Sequence, residues 1–206
     1  MPEKTKKEVQ PQAREYFEKG ITALRKDNLD YATKLFEQAL RREPGFFECR
    51  EALRLNQFKR VSKKSSFFKM FGKTTSTSLL PKGQLALKKD PIEAMEVAEQ
   101  VLNDDPYSVM GNKLLADAAT AAGFPRTALF AWDLVMQKQP DDKANIMRYC
   151  QALVNNGDVA KAEETCTALA KAHPGDQEVL QLSKNLTASR TLSEGGFDKV
   201  ASGESD

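Results

Sequence analysis

Apolar residues return along this chain at offsets of four and three, in stretches that each end on a proline. LFEQALRREP closes at Pro44, VAEQVLNDDP at Pro106, AWDLVMQKQP at Pro140 and TCTALAKAHP at Pro174. An alanine stands twelve residues before each proline: Ala32, Ala94, Ala128 and Ala162. Four residues later come Phe36, Ala98, Trp132 and Cys166, and three after those Ala39, Val101, Val135 and Leu169. These offsets put the three positions on one face of an α-helix. The small alanine makes room for a crossing helix, and the proline ends the element and begins a turn.

A second amphipathic stretch precedes each alanine. Tyr16, Gly20 and Ala23 mark it in the first unit, Leu115, Ala116 and Ala119 in the third, and Tyr149, Cys150 and Leu153 in the fourth. KDNLD, AAGFP and NNGDV separate the paired helices, with Gly123 and Gly157 suited to a left-handed cap. The closing prolines are 62, 34 and 34 residues apart, so the second unit is one repeat carrying an insertion.

The pattern resembles the tetratricopeptide repeat family, whose 34-residue unit runs W-x2-L-G-x2-Y, then A-x3-F, then P. The resemblance covers Gln12 to Pro174, with Asn112 and Ile146 in place of the large aromatic and Lys19 in place of a leucine. It implies an all-α, helical-hairpin solenoid of about eight or nine helices in antiparallel pairs, without a sheet. The expected division is a polar arm over 1–11 and a repeat domain over 12–190, followed by a disordered acidic tail over 191–206. Within the domain the repeats span 13–46, 47–108, 109–142 and 143–176, with an insertion at 61–81 and a capping helix at 177–190. In the second unit, either the helix beginning at Phe47 is its first helix, or QLALKK is a shortened first helix and the earlier one is additional. The short turn KKDP favours the latter.

Composition fits this picture and narrows it. With 206 residues, 40% apolar and 29% charged, the chain can bury a sizeable core. A net charge of +2 is too small to imply nucleic acid or membrane by itself. MPEKTKKEVQPQ lacks the apolar run of a secretory signal, and no run is long enough to span a bilayer. Cys49, Cys150 and Cys166 form no CxxC pair, and an odd count fits a reducing cytoplasm.

Catalytic chemistry is not visible. His173, the one histidine, sits before Pro174 and reads as a helix C-terminal cap. Cys150 and Cys166 occupy core positions of facing helices and read as buried thiols, a redox pair being the alternative. No zinc-ligand spacing, phosphate loop, HExxH or GxSxG occurs. The expectation is a non-enzymatic protein with no cofactor and no metal.

The family resemblance implies instead a protein or peptide partner, held in a concave groove lined by the first helix of each unit. The matching stripe is Phe17, Ile21 and Leu24 in the first unit, Lys113 and Asp117 (with Thr120) in the third, and Met147 and Gln151 (with Val154) in the fourth; the alternative is that the insertion or a neighbouring helix covers Phe17 and Ile21. One subgroup of the family grips acidic C-terminal tails with a lysine and an asparagine where this chain has Phe17 and Ile21. Two apolar side chains cannot hold a terminal carboxylate, which disfavours that use.

KKSSFFKMFGK, from Lys63 to Lys73, stands apart. Residues 54–89 hold ten basic side chains and no acidic one. A basic aromatic insertion results, made of Lys63, Lys64, Phe67, Phe68, Lys69, Phe71 and Lys73, with KTTSTS as a flexible tether after it. Its phenylalanines could pack near Leu55 and Phe58, leaving a basic surface, or could meet a partner or an anionic membrane surface. Nucleic acid is the weakest alternative, because no nucleic-acid module accompanies the aromatics.

Overall fold

The computed structural model describes residues 3–63 and 73–188, which fall into two compact units, one ending at Lys138 and the other beginning at Gln139. In the first unit, α1 (Pro11–Arg25) and α2 (Leu29–Arg42) form a hairpin. Pro11 opens α1, where its missing N–H removes no helical bond. The turn between the helices places Asp27 at φ 62°, a left-handed conformation that aspartate tolerates better than most residues. Gly20 and Ala23 of α1 are buried against Ala32, Phe36 and Ala39 of α2, as the offsets predict, and Ala13, Phe17 and Leu35 are buried with them.

α3 (Phe47–Lys63) packs on α2, while α4 (Lys73–Leu87) pairs with α5 (Pro91–Asp104) across the short turn at Lys88–Asp90. Among its described residues the span 47–108 holds three helices, with α3 outside the α4–α5 hairpin. Asp90 caps α5, its Oδ1 accepting from the N–H groups of Ile92 (2.9 Å) and Glu93 (3.2 Å). α3 reaches Lys63 and α4 starts at Lys73, so helix enters both ends of the expected insertion 61–81. KTTSTS, expected to be a tether, is the first part of α4. Lys64, Phe67, Phe68, Lys69 and Phe71 lie outside the described residues, as does the side chain of Lys73.

α6 (Val109–Ala122) and α7 (Pro125–Lys138) complete the unit as a further hairpin, turned by Gly123 at φ 76°. Ser108 caps α6 by accepting from the Gly111 N–H at 3.1 Å. In the second unit α8 (Lys143–Asn155) pairs with α9 (Val159–Ala172) through Gly157 at φ 90°, and a final helix, α10, covers 177–188. Tyr149, Cys150, Leu153, Ala162, Cys166 and Leu169 are buried there, with Val179 and Leu186 of α10. Lys143 ties the start of α8 to Asp176 (2.8 Å) and Glu178 (2.9 Å). His173 follows α9, and it is the backbone N–H that caps, donating to the Leu169 carbonyl at 3.0 Å. Among the described residues there are ten helices, and the extended pairing is an isolated parallel bridge between Lys4 and Phe46.

Candidate functional site

Phe17, for which the sequence leaves an open groove or a covered position, is a core residue only 9% exposed. Phe46, in the link after Pro44, covers it with ring centroids 4.9 Å apart, and Phe36 approaches from beneath at 6.1 Å. Lys6 of the N-terminal arm places Nζ 5.9 Å from the centroid of the same ring. Burying a phenylalanine stabilises the fold by roughly 1.5–3 kcal/mol, so the side chain belongs to the hairpin rather than to a vacant surface. Ile21 and Leu24 are half-buried at the margin of this core. Lys113 and Asp117 are half-buried on α6, four residues apart, and so are neighbours on one face. In the second unit Met147 is half-buried, and Gln151 is exposed and donates to Asn155 Oδ1 at 3.0 Å.

Among the described residues, several of the ten basic side chains are paired with carboxylates. α3 crosses the α1–α2 turn, and carboxylates from that turn answer its cations. Asp27 pairs with Lys63 and with Lys59 at 3.0 Å, and Asp30 pairs with Arg60 at 2.9 Å. Hydrogen bonds from Lys63 and then Lys59 hold the Asp27 carboxyl below the usual carboxylate range. Lys82 approaches Glu93 at 3.9 Å. Arg54 is not on the surface at all.

Arg54 belongs to a polar layer between α3 and α5 that sequence reasoning missed. Arg50 Nη1 donates to Glu99 Oε1 at 2.9 Å, and Arg54 Nη2 stands 3.5 Å from Oε2. Gln57 Nε2 bonds Asn103 at 2.9 Å, and Asn103 in turn donates to Glu37 of α2 at 2.7 Å. Arg54 is 1% exposed and Glu99 5%. Burial pulls the Arg54 guanidinium below its ordinary value, while Glu99 opposes that shift. A cavity of about 100 Å³ adjoins the layer, lined by Leu40, Arg50, Leu53, Met95 and Glu99 among others. The sequence carries a signal for this arrangement. Arg50, Arg54 and Gln57 lie 34 residues after Tyr16, Gly20 and Ala23, so the packing face of a first helix has become polar in α3.

The N-terminal arm, read from sequence only as polar, is attached along its length. Glu3 lies at the first turn of α7: Oε2 accepts from the Arg126 N–H at 2.7 Å, and Oε1 from the Thr127 N–H and Oγ1 at 2.8 and 2.7 Å. Lys4 donates its N–H to the Gly45 carbonyl at 2.8 Å, and its Nζ pairs with Glu43 at 2.7 Å. Arg14 holds the carbonyls of Lys6 and Lys7 at 2.9 and 2.8 Å, and Val9 is buried in the α1–α2 core.

The three cysteines are free thiols and are buried. Burial pushes Cys150 up to about 12, with Cys166 beside it adding to the shift, and burial also raises Cys49 and Cys166. Thiols so shifted are poor nucleophiles at neutral pH. Among the described residues no three His, Cys, Asp or Glu side chains converge as metal ligands, and no helix is long and apolar enough to cross a membrane.

A tetratricopeptide repeat family model matches residues 119–186. No curated protein matches the sequence. Among solved structures, the TPR2AB-domain:pHSP90 complex of yeast Sti1 is similar at 16% identity and TM-score 0.51, covering 85% of this chain and 69% of that one. MamA AMB-1 is similar at 16% identity and TM-score 0.50, covering 94% and 93%. At that identity the likeness is one of fold.

Proposed function

We propose that this chain, which belongs to the tetratricopeptide repeat family, is an interaction adaptor that holds a partner peptide or helix and catalyses no reaction. The observation that carries this reading is the state of the first-helix faces. Ile21 and Leu24 on α1 stay partly accessible although Phe17 is sealed, and Met147 with Gln151 do so on α8. Apolar and amide side chains at helical spacing suit a peptide, and the yeast Sti1 domain of similar fold was solved in a pHSP90 complex. For the present chain, Ile21 and Leu24 favour a partner held by apolar contact over one held by a terminal carboxylate.

The second reading is attachment to an anionic membrane or nucleic acid through the basic insertion, of which Lys63 is paired with Asp27. Affinity purification with wild type and with Ile21→Ala/Leu24→Ala tests the adaptor reading. Loss of a specific bound protein, with circular dichroism unchanged, supports it. An identical set of bound proteins counts against it.

A further inference from the structure

The arm over residues 3–9 makes contacts of the kind a bound peptide makes. Its acidic residue, Glu3, receives three hydrogen bonds at 2.7–2.8 Å from the first turn of α7, where Thr127 is completely buried. Its basic residue, Lys4, adds a strand-like bond to Gly45 and an ion pair to the buried Glu43. Its apolar residue, Val9, enters the core beside Phe17. Between these anchors Thr5, Lys6, Lys7 and Glu8 are exposed. Three separate sites thus read an acid, a base and an apolar side chain, and they are built by segments far apart in sequence.

We infer that the surface running from the α2–α3 link to the start of α7 is a binding site for an extended peptide bearing an acidic residue followed directly by a basic one. The chain's own arm occupies that site as an internal competitor. This rests on the adaptor reading and adds where a peptide sits, what chemistry it carries and why it binds conditionally. Donors are fixed at the helix start, where the backbone N–H groups favour negative charge. The Lys4 position uses main-chain pairing to an extended link, a mode that accepts many sequences. A tethered arm also acts at high local concentration, so a free peptide competes poorly until the arm is weakened.

The test is a titration of a labelled peptide, MPEKTKKEVQ, onto the full chain and onto its Glu3→Gln/Lys4→Ala variant. The expected result is binding to the variant at least tenfold tighter than to wild type, abolished when Thr127→Val is added. Equal affinity for both chains, or no saturable binding to the variant, overturns the inference. Amide exchange in the wild-type chain supplies a readout that does not depend on variants. The Arg126 and Thr127 N–H groups should exchange well ahead of the Val135 N–H in the same helix, because the arm lifts without unfolding α7. Exchange of all three at one rate means the arm is a fixed part of the fold. A partner lost through Ile21 and Leu24 while this titration fails would leave the adaptor reading intact.

Discussion

Gly20 lies against the ring of Phe36 so closely that a Cβ added to it would stand 2.6 Å from Cε1. Contact at that range is repulsive, and Phe36 is itself fully buried with no free direction in which to swing. Gly20→Ala would gain about 1 kcal/mol of helix propensity but lose about 1–3 kcal/mol to overpacking. The variant is therefore expected to be less stable by about 1 kcal/mol. A urea midpoint at or above that of wild type would show that the hairpin relaxes freely there.

Among the described residues Glu99 is the carboxylate within reach of both Arg50 and Arg54. Removing one partner of a buried ionic cluster costs about 3–5 kcal/mol, because the remaining charges stay desolvated. Glu99→Ala should lower stability by about that amount. Replacing Arg50, Arg54 and Glu99 together by Met, Leu and Leu should recover most of the loss. Equal destabilisation by the single and triple variants would mean that packing, not charge, sets the effect.

Asp27 couples stability to pH. Its folded-state value is depressed by Lys63 and Lys59, so its contribution is present above the unfolded value, about 3.9, and is lost as pH falls through the folded one. Asp27→Asn keeps a residue that tolerates positive φ but removes the ion pairs. Compared by thermal melts between pH 6 and 3, as a rough range set by the carboxylate values, the gap between wild type and variant should shrink with acid. High salt at neutral pH should shrink it too. A gap constant with pH would assign the difference to backbone conformation instead.

Thiol reactivity follows from burial. Cys49, Cys150 and Cys166 should react with an aromatic disulfide reagent at pH 8 on the order of a hundredfold more slowly in the folded chain than in urea. Rapid labelling of Cys150 in the native protein would contradict its upward-shifted titration.

The hairpins could be read from sequence because they are written in local offsets. Ala32, Phe36 and Ala39 share a helix face whatever surrounds them, and Gly123 and Gly157 take the left-handed turns that their position demands. α3 shows where local reading stops. Its register repeats that of α1, yet Arg50 and Arg54 make sense only beside Glu99, which lies in a helix beyond the insertion. Phe17 is a second case: its helical offset fits an outward stripe, and the path of the link carrying Phe46 covers it. Lys59, Arg60 and Lys63 follow one another along the chain without an acidic neighbour, whereas Asp27 and Asp30 reach them from an earlier turn. Periodicity identifies which residues share a face, but it does not identify what lies opposite.

The contact between Glu3 and Thr127 joins residues 124 positions apart. A stack of hairpins is ordinarily assembled from neighbour contacts alone, so its contact order is low and its outermost hairpin frays first. Tying the arm to α7 closes that linear array into a ring. The loop-closure entropy of the ring rises only slowly with its length, while fraying of the first hairpin now requires a remote bond to break as well. The terminal hairpin is thereby coupled cooperatively to the start of α7, and a loosened arm would be felt at both places at once.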